Sequence, residues 1–348
     1  MKILADFHHG ALYHSLQLLF ENRLGHEVYR PIDMEWYKED LWNVYPHVDT
    51  AGQFLSLHQA DRHPVDIHGG PLPPDACVNM NYTEEDGIYY VKDLGHGINH
   101  RAVTLEKFSS MKFDVLLSSI PQHIPRFNRL IAERMPAAKQ IFQVGNAWGH
   151  QGGAKNILAS TAPFAVPDDV NACFYHQEFD TDLFSLDLTP TTHSLRSYVH
   201  YMKRPDLMDA VAAHLPGWTV EKYGAGFEAL HGAIPVAKKM RSGAFTWHFK
   251  PEGDGYGHVL HSTYACGRPA VVDKRHYAGK LADQLLIPDV TCIDIAGLQP
   301  DQIAAKLLHW SEPINYSQMS QAAYNRFNEV VNFEQEATAV QQFMERLV

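Results

Sequence analysis

The stretch from Phe245 to Asp273 constrains the fold of this chain more than any other part of its 348 residues. It begins with a short apolar segment and continues into a turn with glycines at positions 253, 255 and 257. A helical segment and a second apolar segment, Ala270–Val272, follow. Strand, glycine turn, helix and strand form the βαβ unit of a parallel sheet. Glycines at such a turn let backbone N–H groups approach an anion, and the dipole of the following helix favours negative charge there.

A longer pattern lies within this stretch. Asp254 is followed by Gly255-Tyr256-Gly257, then by a helical segment, and then by Ala265-Cys266-Gly267-Arg268-Pro269 ahead of the apolar strand. This pattern resembles the donor-binding region in the C-terminal domain of GT-B glycosyltransferases. The second acid of the family pattern usually holds the donor ribose, and its position falls on Ser262 in this chain.

The resemblance implies a fold and a reaction. The expected fold is α/β, with two Rossmann-like domains facing across a cleft (GT-B). The expected reaction is metal-independent transfer of a sugar from a nucleotide-diphosphate sugar, with UDP as the nucleotide, to an acceptor hydroxyl. No other cofactor is expected, because the nucleotide-sugar is itself a co-substrate.

The glycine turn is the expected site of the donor diphosphate. Backbone N–H groups of Tyr256, Gly257 and His258 would contact the phosphates at the start of the helix. Lys250 would supply positive charge, and a solvated lysine at the end of a strand is the alternative. Asp254 is expected to bind a hydroxyl of the donor sugar, as the first acid of the family pattern does, or else to cap the turn.

Two other segments of the C-terminal half are candidates for donor contacts. Lys203 and Arg204 follow a predicted strand, at a point where GT-B relatives commonly place a basic pair that neutralises the leaving diphosphate. A basic N-cap region before Pro205 is the alternative. Tyr223 ends another predicted strand and lies, by resemblance, in the loop beside the nucleotide base. A core aromatic residue is the alternative there.

The N-terminal half opens like a Rossmann-like domain. The pattern predicts an apolar strand at Lys2–Phe7, then a helix with leucines at helical spacing up to Gly25, and then a strand at His26–Ile32. Residues 33–110 are irregular and predict an insertion with short strands around Ile88–Val91. Regular structure is predicted again at Phe113–Ile120 (strand), Pro125–Arg134 (helix), Gln140–Val144, Ile157–Ser160 and Ala172–Gln177 (strands).

Residues directly after the first strand are the candidates for catalysis in this half. Ligands bind at the carboxyl ends of strands in open α/β sheets, and His8, His9 and Gly10 lie at that position. In one group of inverting GT-B enzymes a histidine here is the general base, whereas in retaining relatives the same loop contacts the donor phosphate. His150, after the strand Gln140–Val144, is expected to contact the acceptor or the donor sugar. A structural histidine pair is the alternative for His8 and His9.

An acidic segment, Asp180–Thr192, separates the two halves. It predicts an acceptor domain at 1–185, a nucleotide-sugar domain at 186–325 and a C-terminal helix at 326–348, within a long predicted helix Tyr316–Leu347. In GT-B proteins the last helix often crosses back onto the first domain. Asp180-Thr181-Asp182 also matches the D-x-D metal motif of GT-A glycosyltransferases, but such triplets arise easily by chance, and no metal site is expected.

Charge and cysteine content indicate which compartment and which binding partners suit the chain. The chain has a net charge of −11 and four scattered cysteines, which predicts a cytoplasmic protein with free thiols. It has no run of the roughly 18–20 apolar residues that a membrane span needs. The acceptor stays open between a small molecule, a glycan and modified DNA. The negative charge disfavours DNA, although some viral enzymes of this fold glycosylate hydroxymethylated cytosine.

Two further classes remain open from the sequence. One is a GT-B-fold sugar-nucleotide epimerase, which acts on the donor alone. The other is a catalytically silent GT-B module that binds a partner, for which the departure at Ser262 is the best support.

Overall fold

The computed structural model describes most of the chain in two compact units. The described residues are 1–6, 10–31, 80–93, 97–103, 105–119, 124–145, 153–187, 193–199, 202–224, 226–228, 230, 232–251 and 253–348. The first unit comprises Met1–Glu178 together with Phe333–Val348, and the second comprises Phe179–Asn332.

The first unit is built on a mixed sheet, to which the described residues contribute nine strands in the order β3-β4-β5-β2-β1-β6-β7-β8-β9. The pairs from β5 to β9 are parallel, whereas β3-β4 and β4-β5 are antiparallel. The strands are β1 (Lys2–Asp6), β2 (Glu27–Pro31), β3 (Met80–Glu85), β4 (Ile88–Asp93), β5 (Ile98–Val103), β6 (Val115–Ser118), β7 (Lys139–Val144), β8 (Asn156–Ala159) and β9 (Asn171–Phe174). The short strands expected around Ile88–Val91 therefore belong to a meander at one edge of this sheet.

Helices cover the sheet because its central strands are apolar on both faces. These helices are α1 (Gly10–Gln17, continued by a π-helical turn at Leu18–Arg23), α2 (Leu105–Ser110) and α3 (Ile124–Arg134). One face of β1 packs Ile3 against the leucines of α1, and the other face packs Leu4 against Phe108 of α2. Because both faces of these central strands are buried, their sequences are continuous apolar runs, and such runs are typical of parallel strands.

The second unit is built on a five-stranded sheet in which every described pair is parallel, in the order β11-β10-β12-β13-β14. Its strands are β10 (Ser194–Ser197), β11 (Thr219–Lys222), β12 (Phe245–Trp247), β13 (Ala270–Val272) and β14 (Cys292–Asp294). Its helices are α4 (Pro205–Ala212), α5 (Ala233–Ser242), α6 (His258–Ala265), α7 (Pro300–Ser311) and α8 (Pro313–Val330). The core includes Trp247, Val271, Ile293 and Leu307, all fully buried.

The prediction of one continuous helix at the end of the chain is wrong. Instead of one helix over Tyr316–Leu347, α8 ends at Val330 and a separate helix, α9, spans Phe333–Glu345. Val331 between them is extended, with φ −114° and ψ 123°. Val330, Val331 and Asn332 meet at this point, and all three have low helix propensity. Helix α9 packs on the first sheet, where Val340 and Phe343 are fully buried beside residues of β1 and β6.

Candidate functional site

The strand order of the second unit marks a position for a ligand. The chain winds from β10 outward to β11 on one side and to β12 on the other. In open parallel sheets ligands bind outside the carboxyl ends of the strands at such a reversal. Three aromatic or imidazole side chains follow these strand ends directly: Tyr198 after β10, Tyr223 after β11 and His248 after β12.

The glycine turn connects β12 to α6 at this edge. The N–H of Gly253 donates to the carbonyl of Lys250 (2.9 Å), and Gly253 has φ +68°. A Cβ at Gly253 would lie 2.2 Å from the carbonyl oxygen of His276, and a Cβ at Gly257 would lie 2.8 Å from the Cβ of Ala282. Glycine is needed at both positions because the backbone conformation is left-handed and the space is occupied.

Gly257 begins α6 as its N-cap, with φ 82° and ψ 48°. Its carbonyl accepts the backbone N–H groups of Leu260 (2.9 Å) and His261 (3.1 Å). Tyr256 is buried and stacks on the His261 ring, with 4.2 Å between centroids and 8° between planes, while the His258 ring meets Phe179 edge-on. The aromatic residues of the predicted motif thus fix the start of the helix by packing.

Asp254 is the centre of a charged cluster on the turn. Its Oδ1 accepts from the ammonium of Lys250, and its Oδ2 lies 3.3 Å from Nε2 of His248. On the other side of the imidazole, Nδ1 of His248 is 2.5 Å from the hydroxyl of Tyr277. The side chain of His248 is only 1% exposed, whereas that of Lys250 is 40% exposed.

Within this cluster the pKa values of the Asp254 carboxyl and the Tyr277 hydroxyl shift in opposite directions. Burial raises the pKa of the Asp254 carboxyl, but the hydrogen bond and charge of His248 and the ammonium of Lys250 outweigh it, and the pKa ends well below its usual range. Burial raises the pKa of the Tyr277 hydroxyl, and the negative charges of Asp254 and Asp273 raise it further. At neutral pH the cluster therefore holds a carboxylate and a neutral phenol.

The predicted basic pair lies beyond the end of β10. Lys203 is exposed. Arg204 is the N-cap residue of α4 in a left-handed conformation (φ 52°, ψ 52°), and its Nε donates to both carboxylate oxygens of Asp206 (3.1 and 3.0 Å). Its side chain is 58% exposed. In this arrangement Arg204 pairs with the first turn of its own helix.

Tyr223 has a neighbour that sequence reasoning missed. The ring of Tyr198 stacks on that of Tyr223, with 5.5 Å between centroids and 17° between planes. The ammonium of Lys239, from α5, lies 5.4 Å from the centroid of the Tyr223 ring and pairs with Glu221 at 3.2 Å. Tyr198 lies near the end of the predicted strand before Lys203, much as Tyr223 ends the next predicted strand, and this similarity of position could have identified it.

Ser262 carries no charge and points into the helix. It is 2% exposed, and its hydroxyl donates to the carbonyl of His258 (2.9 Å). The position of the second family acid is thus occupied by a small side chain that bonds the backbone of its own helix.

The predicted residues of the first unit lie mostly outside the described residues. These are His8, His9 and His150, while Gly10 is the first residue of α1. Asp180 of the D-x-D triplet accepts the backbone N–H groups of Asp182 (2.9 Å) and Leu183 (3.0 Å) and so caps a turn. Within the described part of the chain, no group of three or more metal-binding side chains is found.

Comparison with solved structures defines the class of fold. Anabaena HepE in complex with UDP-glucose matches with a TM-score of 0.62 at 12% identity, covering 100% of both chains. Sucrose-phosphate synthase from Thermosynechococcus elongatus matches with 0.58 at 10% identity, covering 99% of this chain and 98% of that one. The pneumococcal O-GlcNAc transferase GtfA in complex with UDP and GlcNAc matches with 0.53 at 10% identity, over 99% and 98%.

These full-length likenesses confirm the predicted fold: the chain is an α/β protein with the GT-B fold of glycosyltransferases. No protein-family model and no curated protein sequence matches the chain. Among the residues that the structure describes, no helix is both long enough and apolar enough to cross a membrane.

Proposed function

We propose that this protein is a glycosyltransferase that moves a sugar from a nucleotide-diphosphate sugar to an acceptor hydroxyl, with UDP as the nucleotide. The observation that carries the proposal is the cluster of Lys250, Asp254 and His248 on a glycine turn at the reversal of strand order. HepE and GtfA, which have the same fold, were solved with UDP-glucose and with UDP and GlcNAc.

In this proposal the second unit binds the donor. Backbone N–H groups of the turn at Gly255–His258 and the ammonium of Lys250 bind the diphosphate, and Lys203 and Arg204 add positive charge to it. Negative charge builds up on the leaving diphosphate in the transition state, and fixed cations stabilise it there. Asp254 accepts a hydrogen bond from a hydroxyl of the sugar.

The nucleotide base has a proposed place as well. Tyr223 is only 3% exposed and packs as a core aromatic residue, so the half-buried Tyr198 that stacks on it is the proposed partner for a uracil ring. His8 or His9 follows β1 and is the proposed general base if the anomeric carbon is inverted. The acceptor belongs to the first unit in this scheme.

A thermal-shift experiment tests the donor site. UDP or UDP-glucose at about 100 times its Kd should add about 2.7 kcal/mol to the stability of the protein, which raises Tm by about 5–10 °C for a unit of this size. Uridine, which lacks the diphosphate, should give a much smaller shift. The proposal fails if no diphosphate nucleotide stabilises the protein.

Lys250→Ala sharpens the test. Loss of a charge-assisted contact should weaken UDP binding about tenfold or more and leave uridine binding nearly unchanged. Lys306→Ala is the matched control, because Lys306 lies on α7 and pairs with Asp289 (2.9 Å), and neither residue belongs to the glycine turn. Equal UDP affinities for the two variants would remove Lys250 from the site.

Ser262 favours a second candidate function. A neutral, buried serine stands where relatives carry an acid, as in a GT-B module that binds a nucleotide-sugar or a partner without catalysing transfer. Incubation with UDP-glucose and a panel of small-molecule and glycan acceptors separates the two candidates. Release of UDP supports the transferase, and tight binding without release of UDP supports the silent module.

A further inference from the structure

His248 occupies an unusual place for a histidine at a strand end. Its imidazole is buried between the carboxylate of Asp254, 3.3 Å from Nε2, and the hydroxyl of Tyr277, 2.5 Å from Nδ1. The hydroxyl of Tyr277 also donates to the backbone carbonyl of His248 (3.2 Å). The ring is therefore fixed from both sides and from its own main chain.

The partners of the ring determine where its proton sits. A carboxylate oxygen only accepts, so the 3.3 Å contact with Asp254 favours a hydrogen on Nε2. A hydroxyl both donates and accepts, so Tyr277 can serve Nδ1 in either state of the ring. When the imidazole is a cation, the hydroxyl accepts from Nδ1–H and donates its one hydrogen to the backbone carbonyl of His248. When the imidazole is neutral, that hydrogen turns from the carbonyl to Nδ1. In both states Nε2 can keep its hydrogen beside Asp254.

Lys250 differs from His248 in its freedom to move. Its side chain is 40% exposed, whereas that of Asp254 is 19% exposed and that of His248 is 1% exposed. A diphosphate on the glycine turn competes with Asp254 for the ammonium of Lys250. A carboxylate that loses one cation in a largely buried place is strongly disfavoured unless a second partner remains.

We propose that His248, held by Tyr277, is the positioning residue that keeps Asp254 ionised and directed at the donor sugar while Lys250 turns to the diphosphate. The inference rests on the proposed function and deepens it. Without His248, Asp254 would retain Lys250, and the diphosphate would lose its cation. The surrounding charged and titratable groups are Lys250, Asp254, Asp273, Arg275, His276 and Tyr277.

A double-mutant cycle with UDP as the probe, measured by titration calorimetry, tests this role. His248→Leu should weaken UDP binding about tenfold, the usual range for a contact between charged groups. Adding Asp254→Asn removes the carboxylate that competes for Lys250, so the double variant should bind UDP within about threefold of Asp254→Asn alone. A residue that only packs in the core would not be rescued by a change at Asp254.

The outcomes separate the inference from the function on which it rests. If the unmodified protein does not bind UDP, both are overturned. If it binds UDP but His248→Leu binds equally well, or if the loss persists in the double variant, only the positioning role is overturned. Should His248→Leu fail to fold, Tyr277→Phe takes its place. It should lower UDP affinity a few-fold, and Asp254→Asn should cancel that loss; absence of either effect overturns the role.

Discussion

Gly253 is the position at which the candidate site should tolerate a side chain least. Its φ is +68°, and a Cβ there would lie 2.2 Å from the carbonyl oxygen of His276. A left-handed conformation costs a non-glycine residue roughly 1–2 kcal/mol, and displacing a packed backbone atom costs roughly 1–3 kcal/mol more. Gly253→Ala should therefore lower the free energy of unfolding by about 2–5 kcal/mol.

Gly279 provides the matched control within the same unit. Its φ is +70°, and a Cβ there would meet no atom within 4 Å. Gly279→Ala therefore loses only the conformational part, about 1–2 kcal/mol. The difference between the two variants, about 1–3 kcal/mol, measures the collision with His276.

Urea denaturation of both variants, with the midpoint and slope compared to those of the unmodified protein, is the appropriate assay. UDP binding should also fall in Gly253→Ala alone, because the N–H of Gly253 donates to the carbonyl of Lys250 (2.9 Å) and a displaced turn moves that lysine. Equal midpoints for the two variants would refute the reasoning, since the carbonyl of His276 would then yield at no measurable cost.

Two further predictions concern charge in the second unit. Because the pKa of Asp254 is lowered in the folded state, its stabilising effect should be fully present above the unfolded-state pKa of about 4 and should disappear as the pH falls below that value. The difference in free energy of unfolding between the unmodified protein and Asp254→Asn, measured by denaturant titration at several pH values, should shrink as the pH falls below about 4. A difference that does not change with pH contradicts the ion pairing. Arg268 is 1% exposed and donates to the carbonyl oxygens of Asp187 (2.6 Å) and Arg241 and to the hydroxyl of Tyr316 (3.0 Å). Arg268→Met should lower the free energy of unfolding by about 3 kcal/mol or more, because three buried acceptors lose their donor. If urea denaturation shows a smaller loss for Arg268→Met than for Arg268→Lys, this explanation is wrong.

The βαβ unit at the candidate site could be predicted closely from the sequence because its determinants are local. Apolar runs, glycines and the start of a helix lie within a few residues of each other. Strand β12 begins at Phe245, the first residue of the stretch, and α6 begins directly after Gly257. The same local reasoning misjudged the last helix, because a short break at Val331 and Asn332 leaves the amphipathic period on either side intact.

The charged cluster could be predicted only in part, for a physical reason. Lys250 and Asp254 lie on one turn and were both expected there. His248 and Tyr277 are brought together by the parallel pairing of β12 with β13, which aligns Thr246 with Ala270 and so places both strand ends at the same edge. The predicted βαβ unit implies parallel strands, but the contact also depends on their register and on the path of the chain from Val272 to Tyr277, and neither is visible in the local pattern of a single sequence.

Ser262 and the partners of Asp254 belong to one electrostatic arrangement. The donor-site pattern that the sequence resembles has two acids, whereas this chain has one of them, Asp254, which contacts Lys250 and His248. Ser262 is the fifth residue of α6 and therefore lies beyond the first turn, where the helix dipole acts most strongly on a charge. An acid at position 262 would be almost fully buried, since the serine there is 2% exposed, and an unpaired carboxylate is costly in such a place. In the proposed donor site, Asp254 therefore has Lys250 and His248 as its partners, and any ribose contact would come from a residue other than Ser262.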